Sequence, residues 1–153
     1  MEVSVEGSVW SFYQQKMDEF YGDLLDVWRS GPFQICSGVS MEEPYVLHPD
    51  MELVLFEEVL HVDPNDPEPL HELLRRLTEK GWEIIINFMA RDCILGNVAV
   101  KIGDKWFAFG QARKNEDGEP YVAEIWPLKY VLPRLSKMEI KPKIAINIKK
   151  LNE

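Results

Sequence analysis

The chain is poor in cysteine and has no long apolar run. Cys36 and Cys93 are the only cysteines among 153 residues, and two lone thiols without metal-ligand spacing build neither a disulfide framework nor a zinc site. No stretch approaches the roughly 18 uninterrupted apolar residues of a membrane span. The opening residues, Met-Glu-Val-Ser-Val-Glu-Gly, lack the basic and apolar regions of an export signal. The expectation is a cytoplasmic protein with reduced thiols and no membrane partner. Glycine is sparse and scattered: Gly96, Gly103 and Gly110 fall in no GxGxxG or GxxxxGK order, so no phosphate cradle is encoded. A GxSxG elbow for seryl catalysis is also missing.

Positive charge is scarce in the first half. Residues Met1 to Glu72 hold 16 acidic and 2 basic side chains, a net of −14, whereas Leu73 to Glu153 hold 10 acidic and 15 basic, a net of +5, for a chain total of −9. Such asymmetry raises a charged partner or a cation site as possibilities, although one domain can appose its own halves. Overall acidity argues against a general polyanion binder. Lys137, Lys141, Lys143, Lys149 and Lys150 crowd the C-terminal end, so nucleic-acid binding through the basic half stays as a third reading behind a solvated tail.

What is present is the balance of a folded globule, with 46% hydrophobic and 28% charged residues. The length suits a single α+β domain over residues 1–153. Trp10, Tyr13, Met17, Phe20, Leu24 and Val27 fall on one helical stripe, predicting a helix from about Val9 to Arg29 with Ser8 as N-cap and Gly31-Pro32 as stop. The stripe suits core packing, with a dimer seam through this aromatic surface as the alternative. Leu53 to Val62 reads as a strand, with helix open for so short an apolar run. Asp66 as N-cap, Pro67 at the first helical position, a Leu70, Leu73, Leu74, Leu77 face and Gly81 as terminator predict a second helix. Trp82–Met89, Asn97–Ile102, Lys105–Arg113, Tyr121–Trp126 and an alternating Ile144–Ile148 segment read as strands, with a short Pro133-interrupted helix from Leu128 to Lys137. The predicted architecture is a mostly antiparallel sheet of about five or six strands carrying two main helices on one face. Were Leu53–Val62 and Trp82–Met89 parallel neighbours, their crossover would be right-handed. In the Phe107–Ala112 strand, Ala108, Gly110 and Ala112 alternate with Phe107, Phe109 and Gln111, and the first helix is expected on the small face.

The chemical candidates are few. All three histidines lie in one carboxylate-rich window, which runs from His48-Pro-Asp50 through Glu57-Glu58 and His61-Val-Asp63 to His71-Glu72. Imidazole with carboxylate suits zinc or manganese, so His61, Asp63 and His71 are the candidate metal ligands of a hydrolase or nuclease. His48 joins them only if the chain reverses near Glu57-Glu58. Cys36 with His48 and Asp50 has the residue types of a cysteine hydrolase but no nucleophile signature. Glu139-Ile-Lys141 resembles half of a nuclease site without its upstream Asp. Trp106, Phe107, Phe109, Tyr121, Trp126 and Tyr130 suit either base stacking or a packed sheet. Each catalytic kit lacks a part. The reading is therefore a non-catalytic cytosolic binding or protein-interaction domain without a cofactor, whose partner is another protein or a second copy.

Overall fold

The computed structural model describes residues 5–31, 33, 36–37 and 55–151. Helix α1 (Val5–Ser30) leads to strands β1 (Cys36–Ser37) and β2 (Leu60–His61). Helix α2 (Glu68–Glu79) precedes β3 (Ile84–Phe88), β4 (Leu95–Ile102), β5 (Lys105–Lys114) and β6 (Pro120–Ile125). Two single-turn helices, α3 (Leu128–Val131) and α4 (Leu135–Met138), flank a 3-10 turn at Leu132–Arg134, and β7 (Glu139–Ile140) and β8 (Ile144–Asn147) complete the order. The strands pair antiparallel throughout, in the order β1-β2-β6-β5-β4-β3-β8, with β7 pairing β5 off this path. The fold is α+β, as expected. The short pieces β1 and β7 extend the sheet beyond the strands that sequence alternation marks.

The aromatic stripe of α1 forms the core. Met17, Phe20, Tyr21, Leu24, Val27 and Trp28 are buried, in one cluster with Leu70, Leu73, Leu74 and Leu77 of α2. Burying one such side chain stabilises by about 1.5–3 kcal/mol relative to leaving it in water. These residues therefore hold the helices to the sheet. Tyr21 donates its hydroxyl hydrogen to the Trp126 carbonyl, and the Trp82 indole N–H reaches Asp23 at 2.8 Å. Tyr21 holds its proton well above the ordinary phenol range because burial penalises the phenolate.

Helix α2 ends as its glycine predicts. Gly81 adopts φ +110°, and its N–H bonds Thr78 O at 3.0 Å while Trp82 N–H bonds Leu77 O at 3.3 Å. This paired closure needs a left-handed residue just past the cap, where glycine costs least. The start lies one residue later than expected: Pro67 occupies the cap position without a side-chain bond, and Asp66 N–H closes a turn onto Asp63 O at 2.8 Å. Helix α1 begins four residues before Val9, so Ser8 lies inside it. A cap-type side chain does not stop a helix whose preceding residues can also coil.

Two expectations are corrected, and one condition does not arise. Leu53–Val62 is not one strand: residues 55–57 form a helical turn and only Leu60–His61 is strand, with 53 and 54 outside the described residues. The turn lets Leu55 enter the core while Phe56 meets Tyr21 at 6.0 Å, which an extended chain with alternating sides would not do. There is also no parallel crossover, because β2 pairs β6 and β3 pairs β4 and β8. Finally, α1 packs on the bulky side of β5. Trp10 and Tyr13 meet Phe107 at 6.0 and 5.1 Å, and Phe20 meets Phe109 at 4.9 Å. Strict alternation fails because β5 is irregular on both edges. Val98 and Ala99 pair with Gly110 and Ala108, skipping Phe109, and Gln111 and Ala112 pair with Glu124 and Val122, skipping Ala123. Each extra residue re-aims the side chains beyond it. Gly110 serves close approach to the next strand instead of to the helix: a Cβ there would stand 2.3 Å from Glu124 O.

Candidate functional site

The register lines up a polar row across five strands, β2 to β3, with β1 paired beyond them. Cys36 pairs with His61, His61 with Glu124, Glu124 with Gln111, Gln111 with Asn97, and Asn97 with Asn87. Directly paired residues of neighbouring strands share a face, so the five positions from His61 to Asn87 lie on one side of the sheet. His61 Nδ1 stands 3.5 Å from Glu124 Oε2, with side chains 18% and 24% exposed. The other carboxylate oxygen accepts the Trp126 indole N–H at 2.8 Å. Glu124 is thus held from one side by an indole and faces an imidazole on the other. A cavity of about 190 Å³ opens beside this pair, walled by His61, Gln111, Arg113, Tyr121 and Glu124. At the inner end of the row Asn87 is buried and its Oδ1 accepts the Lys143 N–H at 2.7 Å.

His71 sits elsewhere. It lies on α2, 2% exposed, and its Nε2 accepts the Val122 N–H at 3.2 Å. That lone pair is occupied by the backbone of β6, next to the residue where β6 bulges. Burial pushes its pKa down to about 4, with Glu68 raising it and Arg75 lowering it more weakly. Its Nδ1 is buried without a hydrogen-bond partner. Asp63 is exposed and its carboxylate accepts the Asn65 N–H at 2.9 Å.

The proposed metal ligands therefore have separate tasks: His61 faces Glu124, Asp63 shapes a turn, and His71 ties α2 to β6. Among the described residues no group of three or more His, Cys, Asp or Glu side chains is placed to hold a metal ion. His48 and Asp50 lie outside the described residues. Glu139 of β7 pairs with Lys105 at 3.0 Å. Phe107 and Phe109 are buried under α1 and offer no ring for stacking, whereas Tyr130 is exposed beneath the Arg134 guanidinium at 4.3 Å. Glu124 escaped sequence reasoning. Nothing local marks a glutamate 63 positions after His61 as its neighbour; only strand pairing does.

A second feature lies at the opposite edge. Met89, Ile94, Leu95 and Ile144 are 69%, 66%, 44% and 40% exposed. Ile144 pairs with Phe88, the residue before Met89, and Phe88 pairs with Gly96, the residue after Leu95, so the four gather at one corner. Strand β8 ends the sheet path. Lys141, Lys143, Lys149 and Lys150 around it are exposed and have no acidic partner among the described residues.

No protein-family model matches the chain, no curated protein sequence matches it, and no solved structure matches it. Among the described residues no helix is long and apolar enough to cross a membrane.

Proposed function

We propose that the chain is a cytosolic, non-catalytic protein-interaction domain over residues 1–153 that binds an extended acidic segment of another protein along the β8 edge. The carrying observation is the corner where four large apolar side chains meet a sheet edge ringed by unpaired lysines. A strand edge supplies free N–H and C=O groups, the exposed Ile144 and Ile94 supply apolar contact, and the lysines select acidic chemistry. The same lysines oppose pairing with a second copy, because like charges would meet across the new edge.

The test is a photoreactive residue placed at Ile94, at Ile144 or, as a control, at the exposed Asp104 in the β4–β5 turn, at the far end of β4 from Ile94. The reading expects one crosslinked partner at the first two positions, lost when Lys141→Glu and Lys143→Glu are combined. Equal products at all three positions, or a product of twice the chain mass, would overturn it.

A further inference from the structure

A larger cavity, of about 740 Å³, opens between the start of α2 and the β5–β6 turn. Its charged lining is one-sided. Asp66 and Glu68 line it from the helix start, and Glu116, Asp117 and Glu119 line it from the turn. Glu68 pairs with Arg75 at 2.7 Å, while the other four carboxylates have no cationic partner among the described residues. Lys114 also lines the cavity, but its ammonium is engaged elsewhere, on the Arg91 carbonyl and over the Phe88 ring at 4.6 Å. The turn is braced by Asn115, whose Oδ1 accepts the N–H groups of Asp117 and Glu119, each at 2.9 Å. Such a side-chain brace fixes the backbone that carries the acids despite their mutual repulsion.

His71 supplies a second, independent mark. It lines the same cavity at 2% exposure, and its Nδ1 has no hydrogen-bond partner among the described residues. Because Nε2 accepts the Val122 N–H, the neutral ring carries its proton on Nδ1. Nδ1–H is therefore a buried donor, and it calls for an oxygen acceptor. Helix side chains lean toward the N-terminus, which turns this ring toward the end of α2 that bounds the cavity. The nearby carboxylates oppose an anionic acceptor, so the matching oxygen is a neutral one.

We infer that this cavity binds a small organic cation that carries a neutral carbonyl oxygen. The carbonyl accepts the His71 Nδ1–H, and the cationic group lies among Asp66, Glu116, Asp117 and Glu119. A planar guanidinium suits such carboxylates best, because its paired N–H groups match their oxygens. The cavity shares no residue with the β8 corner, so this inference and the partner reading can each fail alone.

The test titrates the full chain, with nitrogen-labelled histidine, against three probes followed by magnetic resonance. Acetyl-argininamide carries both the cation and the carbonyl, acetyl-citrullinamide keeps the shape without the charge, and butylguanidine keeps the charge without the carbonyl. The first is expected to move the His71 Nδ1 signal and to slow exchange of its proton with water, while His61 stays unmoved. Each of the other two should bind about ten-fold more weakly, the loss expected for one missing charge-assisted or buried hydrogen bond. Combining Glu116→Gln, Asp117→Asn and Glu119→Gln changes only exposed side chains. It should weaken acetyl-argininamide by about ten-fold or more and flatten the fall of its affinity with salt. Asp66→Asn, on the helix side, should act in the same direction and serves if the triple variant does not fold. A His71 signal indifferent to acetyl-argininamide, equal binding of acetyl-citrullinamide, or full affinity in the triple variant would overturn the inference.

Discussion

His61 and His71 stand ten residues apart in one acidic stretch, yet the fold gives them opposite environments. His71 rides on α2 into the core, where its Nε2 accepts a backbone N–H and desolvation keeps the ring neutral. His61 lies in the polar row on the other side of the sheet, half-buried, facing a carboxylate. The first is a structural tether; the second is available to chemistry. The same contrast divides β5, whose Phe107 and Phe109 belong to the helix-covered core while Gln111 belongs to the polar row. Side-chain type does not decide the role. The dielectric and the partners on each face decide it.

The sharpest way to break this comparison is to truncate one side chain to alanine on each face. Phe20→Ala deletes a fully buried ring that meets Phe109 and Trp82 at 4.9 and 5.1 Å, and denaturant unfolding should show a loss of about 3–5 kcal/mol. Gln111→Ala on the polar row should stay within about 0.5 kcal/mol. Comparable losses from both would mean that the polar face is as much a core as the helix face.

The next effect is acid sensitivity. The pKa of His71 is lowered in the fold to about 4 from the ordinary 6.5, so the unfolded chain takes up the proton first as pH falls. The stabilising contribution is complete above pH 6.5 and is lost between 6.5 and 4, reaching about 3 kcal/mol at the acid end. His71→Gln keeps an acceptor for Val122 N–H without a titrating ring. Its unfolding free energy should vary less over that window than that of the unaltered chain; parallel curves would show that His71 does not carry the term.

The smallest effect belongs to His61. Its pairing with Glu124 is partly exposed, and such pairs contribute about 0–1 kcal/mol. His61→Gln should therefore leave thermal unfolding nearly unchanged. A large loss of stability would assign His61 to the scaffold, alongside His71.

Local signals account for what was legible. The Leu70–Leu77 face, Pro67 before it and Gly81 after it act within a few residues of themselves, and α2 matches them to within one position at its start. The adjacent Asn97–Ile102 and Lys105–Arg113 strands and the Trp10–Val27 stripe are legible for the same reason. Leu53–Val62 failed because a short apolar run satisfies a helical turn as readily as a strand. The small face of β5 failed because a bulge at Phe109, invisible in alternation, redirects the residues beyond it.

The sequence by itself determined which segments are apolar on one side, where glycine and proline end them, and hence the α+β class with its helix-lined core. Tertiary structure alone decided that His61 and Glu124 stand in one row and that His71 does not join them. Those neighbours are set by which strand edges pair and by where a bulge shifts the register. Both choices are made by packing the whole core at once, so they leave no mark at the residues they bring together.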